Sequence, residues 1–194
     1  MKNIKNIIFL FVAFSSTFCI GNAQNNRILK EEAISAFNYL NTLRINPELI
    51  KKEIGINDRK IKKSQPLIWN EILAKVAEEK ASDMASKNYF SHTNKNGEGI
   101  NIMIHRAGYT LIKDFIKQKN SNFFESIHAG SSSGVEIIKE LIIDKGIQPP
   151  GHRYHLLAVD EFYKEAIDCG IGIAYNPNSK YKYYCCIIIA KHDF

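Results

Sequence analysis

The stretch AIDCGIGIAYNPNSKYKYYCCIIIA, residues 166–190, decides the fold. It contains two runs rich in β-branched and aromatic residues, 166–175 and 181–190, and the turn formers Asn-Pro-Asn-Ser lie between them. Two such runs joined by a turn predict a β-hairpin. A hairpin must bury its faces against other elements, so these residues indicate the centre of a small, mainly antiparallel sheet.

Helical patterns precede the hairpin along the chain. Apolar residues recur at helical spacing over residues 30–44, and Asn46-Pro47 ends that pattern because the residue before a proline is pushed out of helical geometry. Further helices are predicted from a cap at Asn70 to about Asn88, near residues 100–107, and from Val135 to Ile143. Helices on both faces of a small sheet predict an α+β fold with three layers, α-β-α.

The first residues predict export. Two lysines precede an apolar run, residues 7–18, that is too short to span a bilayer as an ordinary transmembrane helix. Gly21-Asn22-Ala23 then offers small residues where signal peptidase cleaves, so residues 1–23 are interpreted as a signal peptide of a secreted or periplasmic protein. The alternative is a lipoprotein anchored at Cys19; Phe18 argues against it, because the lipidation enzymes require a small residue there.

The charge of the chain is modest and dispersed, with a formal net value of +6. Nucleic-acid binding would require basic residues on a recognisable module or interleaved with exposed aromatic residues, and the sequence contains neither. The lysines that cluster within residues 51–63 are interpreted as part of a solvated loop. We therefore expect no nucleic-acid partner, and no transmembrane segment after cleavage of the signal peptide.

Three cysteines follow the predicted cleavage site: Cys169, Cys185 and Cys186. Side chains alternate between the two faces of a strand, so at most one of the adjacent pair could form a disulfide with Cys169. The alternative, that all three are small buried side chains, fits the sequence equally well.

Four polar residues beside apolar runs are candidates for chemistry: His92, Glu125, Asp144 and His152. Two imidazoles and two carboxylates are the inventory of a zinc site or of an acid–base pair. These residues are spread between positions 92 and 152, so spacing alone does not bring all four together. The alternative for each residue is a polar side chain with no functional role whose hydrogen bonds are made to nearby groups.

One further motif is interpreted without catalysis. Residues 130–134, Gly-Ser-Ser-Ser-Gly, match the G-x-S-x-G pattern of a hydrolase nucleophile elbow. That elbow requires a buried strand in a large parallel sheet, which the predicted fold does not provide. A serine N-cap for the helix that follows explains the same residues, so Ser132 is not predicted to be a nucleophile.

Five blocks of residues occur in a fixed order along the chain. They are Asn41-Thr42-Leu43-Arg44 ahead of Asn46-Pro47, Pro66-Leu67-Ile68-Trp69-Asn70, Phe90-Ser91-His92-Thr93, Gly151-His152-Arg153 with Leu156-Leu157, and Cys169-Gly170-Ile171-Gly172-Ile173-Ala174. Their order and spacing resemble the CAP superfamily (cysteine-rich secretory, antigen 5, pathogenesis-related; also called SCP or TAPS), particularly its bacterial branch. We therefore interpret residues 30–194 as a CAP domain, with the three-layer sandwich of that family, and residues 24–29 as a short N-terminal segment.

The resemblance implies a site as well as a fold. Members of the family line a central cleft with two histidines and two acidic residues, and several bind zinc or another divalent metal there. The matching positions of this sequence are His92, Glu125, Asp144 and His152, which become the expected metal ligands. His155 stands where the family commonly has asparagine, and it is a further candidate for the cleft.

The sequence also departs from the family pattern beside Glu125. Phe124 and Ser126 replace the glycine and asparagine of the family's G-E-N motif. Asp144 stands where glutamate is usual and is one methylene shorter, so a metal could be within its reach only through water.

The resemblance implies a secreted binding module that holds a divalent metal and a lipid, peptide or cell-surface ligand. One alternative is a metal-assisted hydrolase, a peptidase, in which Glu125 or Asp144 activates a water as general base. Another is a purely structural or interaction domain in which the four polar groups bond internally. Fold alone does not decide between them.

Overall fold

The computed structural model describes residues 26–192. The predicted signal peptide and Cys19 lie outside this range and stay predictions. In chain order the helices and strands are β1 (Arg27–Ile28), α1 (Lys30–Ile45), β2 (Ile68–Trp69), α2 (Glu71–Lys87), α3 (Ile100–Arg106), β3 (Glu125–Ala129), α4 (Gly134–Ile143), α5 (Gly151–Leu156), β4 (Asp168–Tyr175) and β5 (Tyr183–Ala190). Across residues 26–192, no helix combines the length and the apolar character needed to cross a lipid bilayer.

The predicted hairpin forms the centre of the sheet. Strands β4 and β5 pair antiparallel, from Asp168 opposite Ala190 to Tyr175 opposite Tyr183. The order is β1-β4-β5-β3, and the two-residue β2 pairs parallel with β4. Apart from β2 the pairing is antiparallel, so the prediction of a small, mainly antiparallel sheet is confirmed.

Helices cover both faces of this sheet. Helices α1, α4 and α5 pack against one face in a first hydrophobic cluster, and α2 and α3 pack against the other face in a second. Strand β5 supplies both clusters by alternation: Cys185 and Ile187 enter the first, whereas Cys186 and Ile188 enter the second. The predicted three-layer α-β-α sandwich is therefore confirmed.

Side-chain caps set the starts of two helices. The Oδ1 atom of Asn70 accepts hydrogen bonds from the first amides of α2, at 3.0 Å from Ile72 and 3.1 Å from Leu73. Ser133 caps α4 in the same way. This agrees with the predicted serine N-cap within residues 130–134. Helix α5 was not predicted, because its six residues are too few for a periodic pattern.

Two residues of α1 tie this helix to distant backbone. Asn41 forms a reciprocal pair with Leu67, since its Nδ2 donates to the Leu67 carbonyl (3.1 Å) and its Oδ1 accepts from the Leu67 amide (2.6 Å). The guanidinium of Arg44 donates to the carbonyls of Gln65 (2.9 Å) and Leu156 (2.8 Å). Through these hydrogen bonds Asn41 and Arg44 hold the segment before β2, and Arg44 also holds the end of α5.

The register of the hairpin determines whether Cys169 can form a disulfide with Cys185 or Cys186. Cys169 lies opposite Ile189 and Cys185 lies opposite Ile173, so the two thiols are offset by four residues, about 13 Å along the strands. A disulfide needs Cα atoms within about 7 Å of each other. Cys186 points to the opposite face, and all three cysteines are buried and free. The buried-side-chain alternative is the one that the structure adopts.

Candidate functional site

The first histidine, His92, lies in the loop after α2 and contacts the start of β3. Its Nδ1 atom is 2.7 Å from Oε2 of Glu125, whose side chain is fully buried. The amide of Asn122 also contacts this ring nitrogen (2.8 Å), and Sγ of Cys186 lies 3.4 Å from the second oxygen of Glu125. The ring is therefore held through Nδ1, while 44% of the His92 side chain is exposed.

A buried lysine fixes the backbone that carries His92. Lys80 projects from the buried face of α2, is 0% exposed, and donates from Nζ to the carbonyls of Ser91 (2.8 Å) and His92 (3.1 Å). The same ammonium lies over the ring of Tyr89, 5.3 Å from its centroid. Charged donors form stronger hydrogen bonds than neutral ones, so this anchor limits movement of the His92 backbone.

The second histidine, His152, repeats the arrangement on the other side of the sheet. Asp144 ends α4 in a left-handed conformation (φ 51°), which aspartate tolerates better than most residues do. Its carboxylate accepts from the His152 amide (2.9 Å) and lies 2.7 Å from Nδ1 of the same residue. The Asp144 side chain is 2% exposed and that of His152 is 27% exposed.

Ser126 follows Glu125 on β3, and His155 follows His152 on α5. Oγ of Ser126 is 2.7 Å from Nδ1 of His155, and both residues are buried. These are two of the positions at which the sequence departs from the family pattern, and they contact each other. His155 is 3% exposed, so it lies beneath the surface rather than on it.

Burial lowers the pKa of His155 to about 3, and the charges of His152, Arg44 and His92 act in the same direction. The backbone of Ile189 opposes this shift, yet Nε2 of His155 has no partner within hydrogen-bonding geometry. His155 is therefore neutral at physiological pH. Because it interacts electrostatically with both His92 and His152, the three imidazoles belong to one neighbourhood.

Strand β3 explains how the two halves meet. Consecutive side chains alternate between faces, so Glu125 points toward the α2 layer and Ser126 toward the α4–α5 layer. Among residues 26–192, β3 pairs only with β5 and so forms an edge of the sheet. The site is built around this edge, and we call His92, Glu125, Asp144 and His152 together the histidine site.

The structure places the four residues as two histidine–carboxylate pairs. Within the described part of the chain, no group of three or more His, Cys, Asp or Glu side chains is arranged to hold a metal ion. Nδ1 of each ring is bonded to a carboxylate, and no group of residues 26–192 bonds to Nε2 of either ring. A carboxylate on one ring nitrogen is the usual orienting contact of a histidine that binds metal through its other nitrogen.

Sequence reasoning missed the residues that hold these pairs in place. Lys80 was detectable in principle, because it falls on the apolar stripe of α2 between Val76 and Met84. The contact of Cys186 with Glu125 depends on which face of β5 the thiol occupies, and pairing register alone settles that. Nothing in the sequence marks Asn122.

Comparison with known proteins gives a family and a fold. The family model described as "Cysteine-rich secretory protein family", CAP, matches residues 37–188. No curated protein matches the sequence.

Two solved structures share the arrangement of helices and strands. An outer surface protein from Borrelia burgdorferi aligns with a TM-score of 0.52 and 16% identity, over 87% of this chain and 99% of that one. An extracellular protein containing a SCP domain from Bacillus anthracis str. Ames aligns with a TM-score of 0.51 and 20% identity, over 84% of this chain and 41% of that one. At these identities the likeness is one of fold.

Proposed function

The chain belongs to the CAP family of cysteine-rich secretory proteins, and on that premise we propose that it is an exported binding module. Its histidine site would take up a divalent metal, with zinc the expected ion, together with a lipid or peptide ligand. The observation that carries this proposal is the pair of 2.7 Å contacts that bind Nδ1 of His92 and of His152 to a buried carboxylate.

The pairing assigns a separate role to each type of side chain. In this proposal Nδ1 of His92 donates to Glu125 rather than accepting from Nδ2 of Asn122, which lies 2.8 Å away, and Nδ1 of His152 donates to Asp144. The lone pair of each neutral imidazole then lies on Nε2, which is the atom available to a metal. His92 and His152 would therefore be the direct ligands. Glu125 and Asp144 would orient the rings and raise the basicity of Nε2, rather than coordinate the metal themselves.

Zinc held by two imidazoles would leave coordination positions open to oxygen or sulfur atoms of a ligand. An apolar portion of that ligand has a surface beside the site. Phe123, two residues before Glu125, is 46% exposed and belongs to an aromatic group with Phe115 and Phe162. An exposed aromatic ring beside polar donors favours a ligand with both apolar and polar parts, such as a lipid or a peptide.

The geometry favours binding over hydrolysis. A metal-assisted hydrolase needs a carboxylate free to take a proton from water. Glu125 and Asp144 are both engaged by imidazole Nδ1 atoms and nearly excluded from solvent, so neither is placed for that step.

Export is part of the proposal. It is supported by the predicted signal peptide and by the names of the two structural relatives, one an outer surface protein and the other extracellular.

Calorimetric titration of zinc into a chain that begins at Gln24 tests the site. We expect micromolar or tighter binding that disappears in the His92→Ala/His152→Ala variant. Glu125→Gln should weaken binding by about 10–100-fold without abolishing it, as loss of an orienting contact does. His105→Ala, which removes an exposed histidine outside the site, should bind as the wild type does.

Two results would contradict the proposal. Absence of zinc binding in the folded wild type excludes the metal site, and undiminished binding in the double variant places the metal elsewhere. Circular dichroism of each variant shows whether a loss of binding is a loss of fold.

A further inference from the structure

A separate pocket of about 620 Å³ lies between the segment that precedes β2 and the residues that follow α5. Lysines line it: Lys60, Lys62, Lys63 and Lys164. No acidic residue of the described chain is among its lining residues, and neither is any member of the histidine site. We call it the lysine pocket. The sequence pattern predicted only a solvated loop for three of these lysines.

Two of the lysines keep their charge uncompensated. Across residues 26–192, no carboxylate lies within ion-pair distance of Lys62 or Lys63, and both side chains are exposed. Lys164 differs, because it forms an ion pair with Glu161. The adjacent Lys62 and Lys63 are therefore the strongest attraction for an anion at the pocket.

Lys60 is held in place by an aromatic side chain. Its Nζ lies 3.3 Å from the hydroxyl of Tyr154 and 5.4 Å from the centre of the ring. Neither contact neutralises the ammonium. The pocket thus presents a third positive group whose position is fixed by α5.

Two buried donors without a hydrogen-bond partner belong to Ser64, which lines the pocket, and to Arg44, which bonds to the lining residue Gln65. The hydroxyl of Ser64, a lining residue, is buried without a hydrogen-bond partner, and so is Nη2 of Arg44. Arg44 is 1% exposed and donates its other hydrogen bonds to neutral carbonyls, including that of the lining residue Gln65. Loss of solvation lowers the pKa of Arg44 to about 10.

The remaining lining is apolar. Pro66 comes from the segment before β2, and Ala158 and Val159 follow α5. The two sides are fixed relative to each other, because Arg44 donates to the carbonyls of both Gln65 and Leu156. The pocket is therefore preformed, with cationic and apolar parts side by side.

We propose that the lysine pocket binds a phosphate group attached to a short apolar segment. A phosphate offers several oxygen acceptors to the ammonium groups at once, and hydrogen bonds between ionised partners are the strongest that such a surface can form. The apolar segment would rest on Pro66, Ala158 and Val159. The site goes beyond the proposed function and shares no residue with it.

Binding of two probes to the chain that begins at Gln24 tests this proposal. Dihexanoyl phosphatidic acid carries the phosphate and the apolar segment, and inorganic pyrophosphate carries phosphate alone. We expect Lys62→Gln/Lys63→Gln to weaken binding of the lipid about tenfold, equivalent to about 1.4 kcal/mol. Lys51→Gln/Lys52→Gln is the matched control, because it removes the same charge from exposed lysines outside the pocket.

The results that would support the proposal differ from those that would overturn it. Weakening confined to the pocket variant supports the site, and the tighter of the two probes then shows whether the apolar segment contributes. Equal weakening in both lysine variants would reduce the effect to net charge and overturn the proposal. Failure of both probes to bind would overturn the proposal too. Zinc titration of the same variants keeps this result separate from the histidine site.

Discussion

His155 shows how one buried side chain links the stability of this fold to pH. Its Nδ1 atom contacts Ser126, its Nε2 atom is buried without a partner, and burial lowers its pKa to about 3. In the unfolded chain the same imidazole titrates near 6.5. As the pH falls below about 6.5 the unfolded chain therefore takes up this proton first, which shifts the equilibrium toward unfolding.

We predict that the free energy of unfolding declines less steeply with acid in His155→Asn than in the wild type. In the wild type this residue contributes a decline of up to about 1.4 kcal/mol per pH unit below pH 6.5, continuing toward the folded-state pKa of about 3. Asparagine can still bond to Ser126 but does not titrate. Denaturant unfolding between pH 7.5 and pH 4.5 measures both slopes.

The exposed His105 provides the comparison for that experiment. His105→Asn makes the same substitution at the surface, outside the buried site, and should keep the wild-type slope. Equal slopes in His155→Asn and the wild type would show that His155 does not carry the acid sensitivity.

At the scale of elements, the contact of α2 with β4 depends on two glycines. A Cβ atom at Gly170 would lie 2.1 Å from the amide nitrogen of Ala74, and one at Gly172 would lie 2.2 Å from the backbone of Ala77. These atoms belong to helix backbone and cannot move aside alone. The G-x-G pattern of β4 is thus the condition for the helix to approach the sheet this closely.

We predict that Gly170→Ala destabilises the protein by about 3 kcal/mol, the upper end for an overpacked core, because the added methyl group forces α2 away from the sheet. Gly151→Ala is the matched control. A Cβ at Gly151 meets no atom within 4 Å, and this residue begins α5, where alanine is favourable. Thermal unfolding and soluble yield distinguish the two variants. Similar midpoints for both would contradict the close contact.

At the scale of the whole molecule, the described fold is held by two hydrophobic clusters without a disulfide. Burial raises the pKa of all three described thiols, that of Cys169 to about 12, so each is protonated and unreactive at neutral pH. The hairpin register keeps Cys169 four residues out of line with Cys185. Cys186 lies in the opposite layer, against α2.

We predict that a thiol reagent labels none of the three cysteines in the folded chain that begins at Gln24 and labels all three in guanidinium. The melting temperature should be the same with and without reductant, because no cross-link constrains the unfolded chain. A lower melting temperature in reductant, or incomplete labelling after unfolding, would reveal a disulfide and contradict this register.

The longer helices and the central hairpin of this protein follow from local sequence. The turn formers at 176–179 predicted the position of the hairpin, and Asn70 predicted the start of α2. Asn46-Pro47 predicted the end of α1 to within one residue. Such signals act within a few residues, through backbone geometry and side-chain caps. The ordered blocks likewise identified the family, which the match over residues 37–188 confirms. Helix α5 and the two-residue strands lacked a periodic pattern.

The partners within the site were decided by tertiary structure. The resemblance predicted His92, Glu125, Asp144 and His152 as one ligand set, whereas the fold pairs each histidine with one acid. It also brings Ser126 into contact with His155. His92 and Glu125 are 33 residues apart, and Arg44 bonds to a carbonyl 112 residues away. Contacts over such separations depend on strand register and on how closely helices pack. Those quantities are set by the whole core, so no local stretch of sequence encodes them.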